Sequence, residues 1–173
     1  MRLVVGTRGS PLAMTQTRWV VERLQRLDRQ LEIAVTEIRT QGDVQAEAPL
    51  ASMPRGVFAK ELELALERRE IDLAVHSFKD LPTDLSPEFA VSAITKREDP
   101  RDVLIAPGYG SLDDLPLGAR LGTSSPRRAV QLRAHRGDLE VVPVRGNVGT
   151  RVAKAEGPDF DGVVLAAAGL HRL

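Results

Sequence analysis

The sequence predicts an α/β protein in two domains, each a mainly parallel sheet flanked by helices, with a cleft between them. Three observations predict it. Short aliphatic runs alternate with helical patterns along the chain, which argues for parallel strands joined by crossover helices. A polar stretch at 96–102 interrupts this alternation, which then resumes. Finally, a strand running into Gly6-Thr7-Arg8-Gly9-Ser10-Pro11 is echoed later by one running into Gly122-Thr123-Ser124-Ser125-Pro126. In both copies Ser caps a helix and Pro takes its first position.

In chain order, Leu3-Val4-Val5 reads as a buried strand. Residues 11–27 read as a helix with Ala13, Val20, Leu24 and Leu27 on one face. Glu32 to Ile38 alternates as a strand does. Residues 56–69 form a second helical pattern, with Phe58, Leu62, Ala65 and Leu66 as its apolar face. Leu73-Ala74-Val75 and Ala90 to Ile94 read as short strands. The charged run Lys96-Arg97-Glu98-Asp99-Pro100-Arg101-Asp102 is either a solvated turn or the crossover between domains 1–95 and 96–173. Beyond it come strands at Val103 to Ala106 and Arg120 to Gly122, and a helix over 125–136. A strand at Val141 to Val144, a helix from about 147 and a strand at Val163-Val164-Leu165 complete the pattern.

Composition narrows the function. The 173 residues carry 24 basic and 24 acidic side chains, so the whole molecule has no general attraction for nucleic acid. Only 3% are aromatic, too few for base-stacking platforms. There is no cysteine, which removes disulfides, thiolate nucleophiles and cysteine metal sites. His76, His135 and His171 form no spaced pair, so no metal is expected. No apolar run approaches the roughly 20 residues that span a bilayer, and the N-terminal run is too short for a signal peptide. A cytoplasmic location is expected, with no membrane or nucleic-acid partner.

Ligands in open α/β sheets bind at the carboxyl ends of strands, and the loops there are cationic. Gly122-Thr123-Ser124-Ser125-Pro126-Arg127-Arg128 sets two arginines in the first turn of a helix, where the helix dipole disfavours cations. They either bind an anion there or point into solvent. In Val144-Arg145-Gly146-Asn147-Val148-Gly149-Thr150-Arg151 one arginine ends a strand and another enters a helix. His76-Ser77-Phe78-Lys79-Asp80-Leu81-Pro82 places a lysine beside a carboxylate, as a site or as a surface turn. Arg8 follows the first strand and Arg172 the last. Seven cations (Arg8, Lys79, Arg127, Arg128, Arg145, Arg151, Arg172) face one evident acid, Asp80. Converging on one cleft, they imply a polyanionic ligand and a cationic or proton-transfer step.

The segments T-R-G-S-P-L-A, A-V-H-S-F-K-D-L-P, R-E-D-P-R-D, G-T-S-S-P-R-R, V-R-G-N-V-G-T-R and L-A-A-A-G-L-H-R-L resemble successive signatures of porphobilinogen deaminases, in order, from residue 7 to 173. The resemblance implies a transferase, hydroxymethylbilane synthase, that deaminates porphobilinogen and polymerises four molecules into hydroxymethylbilane for porphyrin and haem biosynthesis. The substrate so implied is a pyrrole with acetate, propionate and aminomethyl groups. The resemblance implies two domains like those of type II periplasmic binding proteins, with a hinge near residue 96. It implies Asp80 as the catalytic carboxylate, accepting from pyrrole N–H groups and stabilising the cation formed when ammonia leaves. Arg8, Ser10, Gln16, Arg145 and Arg172 resemble substrate contacts. Ser77, Lys79, Thr123, Ser125, Arg127, Arg128 and Arg151 resemble contacts to the dipyrromethane cofactor. A monomer is implied.

The chain departs from the family in three places. Relatives anchor dipyrromethane to a cysteine of a third domain, and these residues include neither, so a truncated piece, inactive alone, is expected. Pro54-Arg55-Gly56 stands where the family usually has Gly-Lys-Gly, and Pro126 where Leu is common. The alternative is a non-catalytic module of the same fold that binds small anions.

Overall fold

The computed structural model describes residues 2–44 and 56–173, so Pro54 and Arg55 lie outside the described residues. The chain divides into two compact units, one ending at Lys96 and the other spanning Arg97–Arg172.

The first unit begins with strand β1 (Arg2–Thr7), followed by helix α1 (Pro11–Leu27). Ser10 caps α1 by accepting from the Ala13 N–H at 3.3 Å, and Pro11 occupies the first turn, where no N–H is needed. The Thr17 hydroxyl donates to Thr7 Oγ1 at 2.7 Å, both side chains fully buried, and ties α1 to β1. Leu27 does not join the apolar face of α1. It sits in the last turn and is 86% exposed. Strand β2 (Glu32–Glu37), the short helix α2 (Gln41–Val44) and helix α3 (Lys60–Glu67) follow. The expected helix at 56–69 is shorter because Gly56, at φ +74°, opens a turn in which the Ala59 N–H returns to the Gly56 carbonyl. Leu62 and Ala65 of α3 and Ile71 form the unit's core against Val4, Ile38 and Leu66. Strand β3 (Leu73–Ala74) completes a parallel sheet of order β2-β1-β3. A single 3₁₀ turn, Phe78–Asp80, follows it.

Ala90 to Ile94 is not a strand. All five residues are exposed and, among the described residues, none pairs with a neighbour. A β conformation gains its hydrogen bonds only from an adjacent strand, so aliphatic composition alone does not make one.

The second unit has strands β4 (Asp102–Ile105), β5 (Arg120–Gly122), β6 (Glu140–Val142) and β7 (Gly162–Ala166) in the order β4-β7-β5-β6. β5 runs parallel to β6 and β7, and the edge strand β4 is antiparallel to β7. β6 stops before Pro143, which has no N–H for the ladder. Helices α4 (Pro126–His135) and α5 (Val148–Ala155) cross between strands, capped by Ser125 and Asn147. Alternation along β7 sends Val164 to one face, with Leu121, Leu132 and Leu139, and Val163 and Leu165 to the other, with Val144 and Ala155. Burial on both faces explains the continuous aliphatic run. A short helix, α6 (Ala167–His171), not expected from the sequence, ends the unit with Arg172 at its C-cap.

Candidate functional site

In the first unit, β1 is central and its partners lie on opposite sides, so the chain reverses direction of travel beside it. A crevice forms at the carboxyl ends of strands at such a switch point. The structure has one there. It is lined by Arg8, Ser10, Leu12, Ala13 and Gln16 from the β1–α1 connection, and by Val75, His76, Ser77 and Asp80 from the segment after β3. Five of the residues singled out in the sequence therefore share one cavity: Arg8, Ser10, Gln16, Ser77 and Asp80. Ser77 Oγ donates to Gln16 Oε1 at 2.8 Å, which locks the two walls together. The Asp80 carboxylate lies 3.8 Å from Arg8 Nη1, an ion pair too long to be a hydrogen bond, and keeps 28% of its side chain accessible. Lys79 is exposed and does not line the cavity.

His76 also faces the cavity. Burial pushes its pKa below the ordinary 6.5, Asp80 opposes that shift, and the Arg8 guanidinium adds to it. The imidazole is thus held neutral near pH 7.

In the second unit the loops after β5 and β6 meet. Ser124 Oγ donates to the Val144 carbonyl at 2.7 Å, and the Ser125 N–H donates to Thr123 Oγ1 at 3.2 Å. Arg151 donates from Nε to the Gly146 carbonyl at 2.8 Å. Its pKa is lowered first by burial and then by the positive charges of Arg145 and Arg128, so three guanidinium groups share one region. Like charges brought together and partly desolvated leave the site short of negative charge. Arg128 Nε is buried without a hydrogen-bond partner. That orphaned donor, within a cluster of arginines, fits a polycarboxylate such as dipyrromethane. Among the described residues no group of three or more His, Asp or Glu side chains is placed to hold a metal ion. Arg127 is more open, at 62% exposure, and Arg172 sits at the end of α6.

Two acids absent from the expected site organise these cations. Asp43 accepts from Arg8 Nε at 3.2 Å and from Nη2 at 2.5 Å. Asp102 accepts from Arg127 Nη2 at 2.9 Å and Arg128 Nη2 at 2.7 Å. Burial alone would raise the pKa of each carboxyl, but the facing arginines, joined at Asp43 by hydrogen bonds from Thr40, outweigh it and hold both below the usual carboxylate value. Phe58, expected on a helix face, instead lies against Arg8, with its ring centroid 4.1 Å from Cζ. Asp43 was discoverable, because Thr40-Gln41-Gly42-Asp43 has the spacing of a capping box.

The fold is α/β, and each unit carries arginines in the loops and helix starts that follow its parallel strands, the first unit with the accessible Asp80 carboxylate beside Arg8 and the second with Arg128, Arg145 and Arg151 together. A family profile described as "porphobilinogen deaminase, dipyromethane cofactor binding domain" matches residues 3–173. The chain belongs to the porphobilinogen deaminase family. A porphobilinogen deaminase of Syntrophus aciditrophicus is 51% identical over 170 residues, covering 98% of this chain and 56% of that protein. One of Desulforudis audaxviator is 52% identical over 172 residues, covering 99% and 56%. The chain thus spans little more than half the length of these relatives. A solved structure described as an L-cystine ABC transporter from Listeria monocytogenes aligns over 96% of this chain and 69% of its own, at 12% identity and a TM-score of 0.40, too distant to add weight.

Proposed function

We propose that this chain forms the pyrrole-handling part of a hydroxymethylbilane synthase, which deaminates porphobilinogen and joins four molecules into hydroxymethylbilane. The observation that carries the reading is the Asp80 carboxylate, open to the cavity at a strand-end crevice and not captured by the arginine 3.8 Å away. Asp80 accepts hydrogen bonds from pyrrole N–H groups and stabilises the positive charge that develops as ammonia leaves the aminomethyl carbon. The carboxylate already lines the cavity, so little reorganisation is needed when that charge appears. Arg8, Ser10 and Gln16, with Arg145 and Arg172, bind the acetate and propionate of the incoming pyrrole.

Thr123, Ser125, Arg127, Arg128 and Arg151, with Ser77 and Lys79, hold the carboxylates of dipyrromethane. When bound, dipyrromethane supplies the primer that incoming pyrroles extend. The protein works as a cytoplasmic monomer.

The test is to supply porphobilinogen to the full-length product of the gene and assay for hydroxymethylbilane. Product formation supports the reading, and none from the wild type would sink it. Arg151→Leu should reduce the colour reaction for dipyrromethane while leaving the fold intact. Tight binding of small carboxylates without any product would favour the non-catalytic anion-binding module instead.

A further inference from the structure

A guanidinium and a carboxylate 3.8 Å apart, both partly shielded from water, ordinarily close into a bidentate pair. Such closure between Arg8 and Asp80 would occupy one lone pair on each carboxylate oxygen and pull the carboxylate's charge toward the guanidinium, in competition with a ligand. The structure shows what stops it. Arg8 Nε donates to both Asp43 oxygens at 3.2 Å, and Nη2 donates to Asp43 Oδ1 at 2.5 Å, so one whole edge of the guanidinium is tied. Phe58 covers one of its faces. The group pointing toward Asp80 is Nη1, the nitrogen Asp43 does not engage.

Asp43 is itself fixed. Its Oδ2 accepts from the Thr40 hydroxyl at 2.7 Å and from the Thr40 N–H at 3.3 Å, and its own N–H donates to Thr40 Oγ1 at 3.3 Å. Thr40 is fully buried. A capping box at the start of α2 has therefore become a rigid mount for a carboxylate.

We propose that Asp43 is a positioning residue for the reaction assigned above: it holds Arg8 by one edge, so that Arg8 faces the cavity without capturing Asp80. The inference rests on that functional reading, and it makes Asp43 act through Arg8 rather than by touching substrate. Losing the mount lets Arg8 swing onto Asp80, which weakens the acceptor needed as charge develops, while Ser10, Gln16, Arg145 and Arg172, the other substrate contacts of that reading, keep most of the ground-state binding.

In the full-length protein, Asp43→Asn should lower kcat for hydroxymethylbilane formation by about 10²-fold while KM for porphobilinogen moves much less. Asp43→Glu keeps the charge and should recover part of the loss. If Asp43→Asn fails to fold, Thr40→Val, which keeps the carboxylate but loosens its mount, should show the same pattern at about tenfold. Unchanged kcat in the folded variants, or a rise in KM alone, would overturn the proposal. A second readout does not depend on turnover. The ¹H–¹⁵N resonance of Arg8 Nε should shift strongly in Asp43→Asn, or in Thr40→Val, and little in Asp80→Asn. The reverse order would overturn the role of Asp43 even if the protein makes no product, whereas an inactive wild type with the expected shifts would overturn only the functional reading.

Discussion

On the role proposed for Asp80, replacing it by Asn should separate catalysis from folding. The side chain is nearly isosteric, and the contact it loses is an ion pair to Arg8 at 3.8 Å with the carboxylate 28% exposed. An ion pair of that length and exposure contributes at most about 1 kcal/mol to stability. The turn around it persists, because the Asp80 N–H donates to the Ser77 carbonyl through the backbone. Arg8 also keeps its ties to Asp43 and Phe58. The catalytic loss is set by different physics. Removing one preorganised group that stabilises developing charge costs about 10²–10³ in turnover, roughly 2.7–4 kcal/mol. Urea unfolding should therefore move by less than about 1 kcal/mol while hydroxymethylbilane formation by the full-length protein falls at least about a hundredfold. Turnover within tenfold of wild type would refute the role assigned to Asp80. A stability loss well above 1 kcal/mol would refute the claim that the group is held for chemistry rather than for the fold.

Leu121→Ala, at a fully buried position of β5 against Leu132 and Leu139, should cost about 3 kcal/mol in urea unfolding, from lost burial and the cavity left behind. Asp102→Asn should cost about 2 kcal/mol at neutral pH, because two charge-assisted hydrogen bonds from Arg127 and Arg128 are weakened. The Asp102 pKa is lowered in the folded protein, so its contribution is complete above the ordinary 3.8 and fades as pH falls through the lower folded value, which should bring the two unfolding curves together. His76 works in the same direction at higher pH. Its folded pKa lies below 6.5, so the unfolded chain binds the proton first and stability falls as pH drops from 6.5 through the folded value. His76→Gln should flatten unfolding free energy measured from about pH 7 to pH 5, and an unchanged slope would contradict the assignment.

The elements that could be read from the sequence were those whose signal is local. Buried runs such as Val163-Val164-Leu165 became strands, and the two Ser-Pro pairs became helix caps with the expected hydrogen bonds from Ala13 and Arg128. The misreadings concern what a segment meets in space. Ala90 to Ile94 has the composition of a strand but pairs with no described neighbour. Leu27 has the right helical phase but lies beyond the reach of the core, at the end of α1. The site divides the same way. Arg8 and Asp80 stand out because strand-end loops are where ligands bind, Ser10, Gln16 and Ser77 enter as ligand contacts through the family resemblance, and all five line one cavity. Asp43, Phe58 and Asp102 were missed because their importance lies in arginines that are 35, 50 and about 25 residues away in sequence.

Those missed residues explain how a protein of zero net charge keeps cations usable. An isolated guanidinium in a partly buried site is costly, and two cures are available: solvent or a carboxylate. Solvent weakens any later contact to a ligand, and a carboxylate that takes both edges of the fork leaves nothing to bind with. Each unit here takes an intermediate course. Asp43 takes one edge of Arg8, and Asp102 takes a single nitrogen from each of Arg127 and Arg128, leaving Arg128 Nε without a partner. Compensation is therefore partial, and its geometry decides which donors remain. The echoed helix starts set the arginines at strand ends, and the aspartates decide which way they face. A cationic site can thus be specified as much by where its counter-charges sit as by the cations themselves. Exchanging either aspartate for a neutral residue should alter the direction in which an arginine points before it alters the amount of positive charge available.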